Sequence, residues 1–180
     1  MIYVLLATGF EEIEALAFTD ILRRAGLDVK LVSVNNDNFA TGSHNIKVCC
    51  DINIKEIDKT TINGVVLPGG LPGTYNLRDS SYVKEILDYA NDNNIIMGAI
   101  CAAPYVFDTF GYLKDTNVTV NPGFESEMKN CNLINERVVC DKKFITSQGP
   151  GTTHEFAKAF IKLFVSEEKA NNLIKEMLYK

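Results

Sequence analysis

Among the side chains able to do covalent chemistry, Cys101 has the most informative neighbours. The stretch from Ile95 to Pro104 reads IIMGAICAAP, an apolar run that meets the thiol and then turns. Gly98 and Ala99 precede it and Ala102 and Ala103 follow. A tight strand-to-helix elbow needs small residues on both sides, because bulky neighbours would clash where the nucleophile is held in a strained backbone conformation. A thiol at the start of the following helix is favoured as thiolate by the helix dipole. The same residues also suit a buried hydrophobe, as many free cysteines are, and the pattern leaves both readings open.

Glu14 is a second candidate. With Ala17, Phe18, Ile21 and Ala25 it recurs at helical spacing, so it lies on the stripe that faces the sheet. A carboxylate there must be solvated, paired or protonated. Burial would raise its pKa, and a protonated carboxyl can donate a hydrogen bond to a thiolate or to an oxidised sulfur. Compensation of the helix dipole is the competing account, sufficient for Glu11 and Glu12. The loop PGGLPG at 68–73 brings Gly69 and Gly70, whose amides can approach a ligand closely and form an oxyanion hole with the amide of Ala102, unless the loop is an ordinary turn. It matches neither the phosphate-binding loop nor the dinucleotide fingerprint, and only Gly9 follows the first strand, which disfavours nucleotide binding.

His44 lies in a turn-rich stretch and His154 near a helix start, and both read as surface histidines. A Cys-His-Asp hydrolase requires folding to bring one of them to Cys101. The five cysteines (Cys49, Cys50, Cys101, Cys131, Cys140) are odd in number and irregular in spacing, with no CxxC and no Cys/His pairing at zinc-ligand distances, so free thiols in a reducing cytosol are expected. Cys49 and Cys50 point to opposite faces of a strand, which opposes a disulfide between them.

The elements that must position these residues alternate. Buried-strand runs are expected at 2–7, 28–34 and 64–68, with a short strand or hairpin at 46–50. Further short strands are expected at 118–120, 137–140 and 144–147. Helices are expected from Glu11 to Ala25 with Gly26 as C′ glycine, from about Ser81 to Asn91 with Ser80 or Ser81 as N-cap, after Cys101, from the turn GPGTT (149–153) through Val165 with Thr152 or Thr153 as cap, and from Glu167. This order predicts an α/β fold, a mostly parallel sheet with helices on both faces and right-handed crossovers, as one domain over 1–180. The active site of such a sheet forms at the carboxyl ends of the strands, so the loops after residues 7, 68 and 100 are the ones to watch.

Composition narrows the partners. The chain has 180 residues, 46% of them hydrophobic, and a net charge of −5 without a basic block, so neither nucleic acid nor an anionic membrane is expected as partner. The opening MIYVLLATGF lacks the basic segment and cleavage site of a signal peptide, and no run approaches the length of a membrane helix. A soluble, cytoplasmic protein is expected.

Five blocks in order and register carry a resemblance: GFEEIE at 9–14, RRAG at 23–26, VVLPGG at 65–70, AICAAP at 99–104 and GPGT at 149–152. Over essentially the whole chain the sequence resembles the ThiJ/PfpI superfamily, and within it the DJ-1 branch. The resemblance implies a flavodoxin-like three-layer sandwich, usually a homodimer, with an elbow cysteine hydrogen-bonded to a protonated glutamate, and neither cofactor nor metal. Carried onto this chain, those residues are Cys101 and Glu14, with the amides of Gly70 and Ala102 at the oxyanion position. Two positions depart from the pattern. Asn121 stands where the family commonly has histidine near the pocket; it can orient a substrate but cannot shuttle protons near neutral pH. Ala102 stands where the protease-like branch has histidine, which makes peptidase or amidase activity the least favoured enzyme reading.

Two functions of different class follow from the resemblance. One is a cofactor-free glyoxalase or deglycase acting on small 2-oxoaldehydes. The other is a redox-responsive stress protein or chaperone in which peroxide oxidises Cys101 to a sulfinate that Glu14 stabilises. A non-catalytic member with a merely structural thiol is the third, and the thiamine-biosynthesis role suggested by the ThiJ name finds no phosphate or thiazole signature.

Overall fold

A computed structural model describes residues 1–179. In chain order the elements are β1 (Ile2–Leu6), α1 (Glu12–Arg24), β2 (Val29–Ser33), β3 (Phe39–Thr41), β4 (Lys47–Cys49), β5 (Ile52–Asn53), β6 (Gly64–Leu67), α2 (Gly73–Asp79), α3 (Ser81–Asp92), β7 (Ile96–Ile100), α4 (Pro104–Thr109), β8 (Asn117–Val118), β9 (Asn132–Leu133), β10 (Val138–Asp141), β11 (Phe144–Ser147), α5 (Thr153–Phe164) and α6 (Glu167–Glu176).

β1 explains the architecture. All five of its residues are buried, and they serve two cores by alternation: Ile2, Val4 and Leu6 pack with Phe18, Phe156 and Phe160, whereas Tyr3 and Leu5 pack with Val83, Leu87 and Phe107. A strand covered on both faces reads as a continuous apolar run, the signature of a parallel sheet between helical layers. The seven-stranded sheet has the order β10-β11-β7-β6-β1-β2-β5, parallel throughout except for β10 against β11. Helices α1, α5 and α6 cover one face, and α2, α3 and α4 the other. The fold is the flavodoxin-like α/β sandwich expected from the sequence.

Local chemistry sets the boundaries. At the end of α1 the Gly26 amide bonds to Arg23 O and the Leu27 amide to Leu22 O, the Schellman pattern, with Gly26 at φ +86. Of the two candidate caps of α3 it is Ser80, whose Oγ accepts from the Val83 amide at 3.3 Å. Gly98 in β7 lets two aromatic rings approach: a Cβ there would lie 2.5 Å from Phe160 Cζ and 3.0 Å from Phe156 Cζ.

Three expectations need correction. The strand at 118–120 shrinks to Asn117–Val118, outside the main sheet, because the Thr119 amide donates to Thr146 Oγ1 instead of to a neighbouring backbone. Thr152 stands at the N-cap of α5, but no side chain caps the helix amides: the hydroxyls of Thr152 and Thr153 turn back to the carbonyls of Gly149 and Pro150. α2 was not anticipated, since its first residue is Gly73 and Pro72 precedes it, residues that punctuate loops in most sequences.

Candidate active site

The strand order reverses between β1 and β6. The chain leaving β1 crosses through α1 to β2, while the chain leaving β6 crosses through α2 and α3 to β7 on the other side. Diverging connections open a crevice at the carboxyl edge, the ligand site of such sheets. Three segments meet there: the first turn of α1 with Glu14, the loop after β6 with Gly69 and Gly70, and Cys101 directly after β7.

Cys101 has φ +63, the left-handed region that a non-glycine residue rarely adopts and that costs of order 1–3 kcal/mol. Both ends of the residue are fixed. Its amide donates to Ser147 O and its carbonyl accepts from the Asn121 amide, each at 2.9 Å. This elbow leaves the side chain partly exposed. The following helix α4 starts only at Pro104 and has six residues, so its dipole contributes less than the sequence reading supposed.

Glu14 is 1% exposed, and its Oε2 accepts from the Gly69 amide at 2.7 Å. A Cβ on Gly69 would lie 2.6 Å from Cys101 Cβ and 3.0 Å from Glu14 Oε2, so only glycine lets the thiol and the carboxyl share this space. Gly70, at φ +89, is wedged as closely: a Cβ would lie 2.5 Å from the Glu11 amide nitrogen.

Burial pushes Glu14 up to about 8, against the hydrogen bond from the Gly69 amide and the neighbouring Cys101 thiol, which pull it down. Burial also pushes the Cys101 thiol up, followed by the charge of the Glu14 carboxylate, while the amides of Ala102 and Gly70 stabilise the thiolate. The two groups therefore oppose each other's ionisation, and the pair carries at most one negative charge near neutral pH. With Glu14 protonated, its repulsion disappears and its O–H can donate to the sulfur. Glu14 Oε1 has no partner among the described residues by strict hydrogen-bond geometry and is free to act.

The side chain of Asn121 donates from Nδ2 to Gln148 O at 3.0 Å, which ties the loop after β8 to the loop after β11. His154 stacks on Tyr179 and is bonded to none of these groups. His44 pairs instead with Glu12, Nδ1 to Oε2 at 2.9 Å. Burial works against ionised Glu12, but the His44 side chain and the amides of Glu12, His44 and Ile46 hold it near 2. That cluster escaped the sequence reading, which took Glu12 for a dipole-compensating acid; no local spacing links residues 32 apart. All five cysteines are free thiols, Cys49 exposed and Cys50 buried, as strand alternation requires. Burial raises the Cys50 and Cys131 thiols to about 12 and about 11.

The DJ-1/PfpI family model matches residues 1–163. The chain belongs to that family. Among relatives of this DJ-1/PfpI member, protein DJ-1 homolog B of Arabidopsis thaliana is 36% identical over 98% of the chain, which spans only 41% of the plant protein. A glutathione-independent glyoxalase, DJR-1.2 of Caenorhabditis elegans, is 30% identical over 93% of the chain and 89% of its own length. The structure of oxidised DJ-1 from Toxoplasma gondii superimposes with a TM-score of 0.95 at 31% identity, covering 99% of this chain and 97% of that one. Among the described residues no helix is long and apolar enough to cross a membrane.

Proposed function

We propose that this DJ-1/PfpI protein is a cofactor-independent, glyoxalase-type enzyme of the cytoplasm that acts on small 2-oxoaldehydes through Cys101, in a stress-response role. The observation that carries the reading is the elbow cysteine at φ +63 packed across Gly69 from a buried carboxyl whose pKa is raised to about 8. The glyoxalase name of the nematode relative supports the substrate class.

In the proposed cycle the Cys101 thiolate adds to the aldehyde carbon of methylglyoxal, and the resulting alkoxide is held by the amides of Gly70 and Ala102. Glu14, protonated in the resting pair, gives its proton to that alkoxide, and as the carboxylate it then takes the C1 proton of the hemithioacetal and returns it at C2. The aldehyde carbon is oxidised to a thioester as the ketone carbon is reduced to an alcohol. Water then cleaves the thioester, releasing lactate and the thiol. Asn121, anchored to Gln148, orients the substrate and moves no proton. We also propose a homodimer, measured by sedimentation.

Lactate formation from methylglyoxal, in metal-free buffer without glutathione, tests the cycle. The wild type turns over and Cys101→Ser does not; equal rates in both would remove Cys101 from the chemistry. A second reading, oxidation sensing, is favoured by the unpartnered Glu14 Oε1 and by the absence of a histidine at position 121. On that reading peroxide adds two oxygens to Cys101 while no lactate appears.

A further inference from the structure

At the N-terminal end of α1, on the residues flanking Glu14, a second group of side chains takes no part in the proposed cycle. Glu11, Glu12 and His44 each offer a ligand atom within 4.8 Å of the others. We propose that these three residues, with Ser43, form a tetrahedral site for a divalent transition ion of the size of zinc.

The distances carry the proposal. Ser43 Oγ lies 3.3 Å from Glu11 Oε2, 3.3 Å from Glu12 Oε2 and 3.1 Å from His44 Nδ1. His44 Nδ1 lies 2.9 Å from Glu12 Oε2 and 3.6 Å from Glu11 Oε2. Five edges of a four-cornered figure are thus between 2.9 and 3.6 Å. A tetrahedron with metal–ligand bonds of about 2.0–2.1 Å has edges of about 3.3–3.4 Å. These five edges bracket that length, and the sixth, between the two carboxylates, is no longer than 4.8 Å. Magnesium and calcium prefer six or more oxygen ligands, and the imidazole together with fourfold geometry selects zinc among the common divalent ions.

The surroundings suit a ligand set. Metal-binding carboxylates are oriented by further hydrogen bonds, and Glu12 has them: its other oxygen, Oε1, accepts from the amides of His44 at 2.8 Å and Ile46 at 3.4 Å. That leaves Oε2 aimed at the group. Gly42 lies directly against the Glu12 carboxyl, where any side chain would overlap it. The glutamates are largely buried, whereas the His44 side chain is 70% exposed, so an ion enters from solvent on the histidine side. Ser43 hydroxyl is the weakest of the four donors, and that corner is exchangeable for water. The site does not depend on the chemistry of Cys101.

Zinc titration of the full chain, wild type and Cys101→Ser, by calorimetry and native mass spectrometry tests this assignment. One zinc per chain is expected at micromolar affinity or better in both proteins, weakened at least about tenfold in His44→Ala and in Glu11→Gln. His44 is exposed, so its variant keeps the fold, which circular dichroism checks; Glu11→Gln is the independent second variant. Cobalt(II) in place of zinc is expected to give the intense visible bands of a tetrahedral ion without a thiolate charge-transfer band. Binding that survives both substitutions, a thiolate signature, or no binding at micromolar zinc overturns the site.

Discussion

The Gly69 amide donates to Glu14 Oε2 at 2.7 Å, and the side of Gly69 that a Cβ would occupy is taken up by that oxygen and by Cys101 Cβ. One residue therefore both orients the acid and sets its separation from the thiol. A Cβ added there meets the Cys101 Cβ at 2.6 Å and the backbone carbonyl of Ile100 at 3.0 Å, neither of which can yield without moving the elbow. Gly69→Ala is expected to cost about 1–3 kcal/mol of stability and to lower Cys101 alkylation by iodoacetamide at least several-fold. Labelling and denaturant melts of the variant check this; unchanged labelling would show that the elbow does not depend on the close approach.

The buried carboxyl makes stability depend on pH. Glu14 is raised from its ordinary 4.5 to about 8 in the folded protein, so between those values the native state holds a proton that the unfolded chain has lost. The unfolding free energy then falls as pH rises through this window, by at most about 5 kcal/mol from this group, and levels off above it. Glu14→Gln abolishes the contribution. Thermal melts of both proteins from pH 5 to pH 9 should diverge, with the wild type losing ground to the variant as pH rises; parallel curves would mean that Glu14 is ionised at neutral pH.

Much of this arrangement was legible in the sequence because it rests on local rules. Continuous apolar runs such as Ile2 to Ala7 specify strands buried on both faces, and the small residues around Cys101 specify the turn. The helical stripe from Glu14 to Ala25 points the carboxyl at the sheet. What stayed hidden depends on pairs far apart in the chain. The amide of Asn121 meets the carbonyl of Cys101, and His44 meets Glu12, only because the crossovers bring their loops to one edge. The length of α4 was equally unreadable, since it ends where Asp108 bonds to the amides of Lys129 and Asn130.

The aromatic contact across β7 predicts a fold-level effect away from the site. Gly98 faces Phe160 and Phe156, whose rings also pack on Phe18 with centroids 5.0 Å away in each case. Gly98→Ala would place a methyl 2.5 Å from Phe160 Cζ in a close-packed layer. A loss of about 1–3 kcal/mol is expected, seen as a lower denaturant midpoint with an unchanged slope. Phe160→Leu in the same chain should recover part of it, because the clash is with the ring; additive losses would place the damage elsewhere.

The coupling between Cys101 and Glu14 predicts a crossover in thiol reactivity. Below about pH 8 the carboxyl is protonated and donates toward sulfur, favouring thiolate more strongly than the amide of a glutamine could. Above that pH the ionised carboxylate repels the thiolate, and burial of the thiol adds to the cost. Iodoacetamide should therefore label wild-type Cys101 faster than the Glu14→Gln variant at pH 6–7 and more slowly at pH 9, by several-fold in each direction. Peptide mapping separates this signal from Cys49 and Cys140, the exposed thiols. Rates that stay in one order across the whole range would mean that the carboxyl acts on Cys101 through packing alone, and proton transfer by Glu14 would then lose its physical basis.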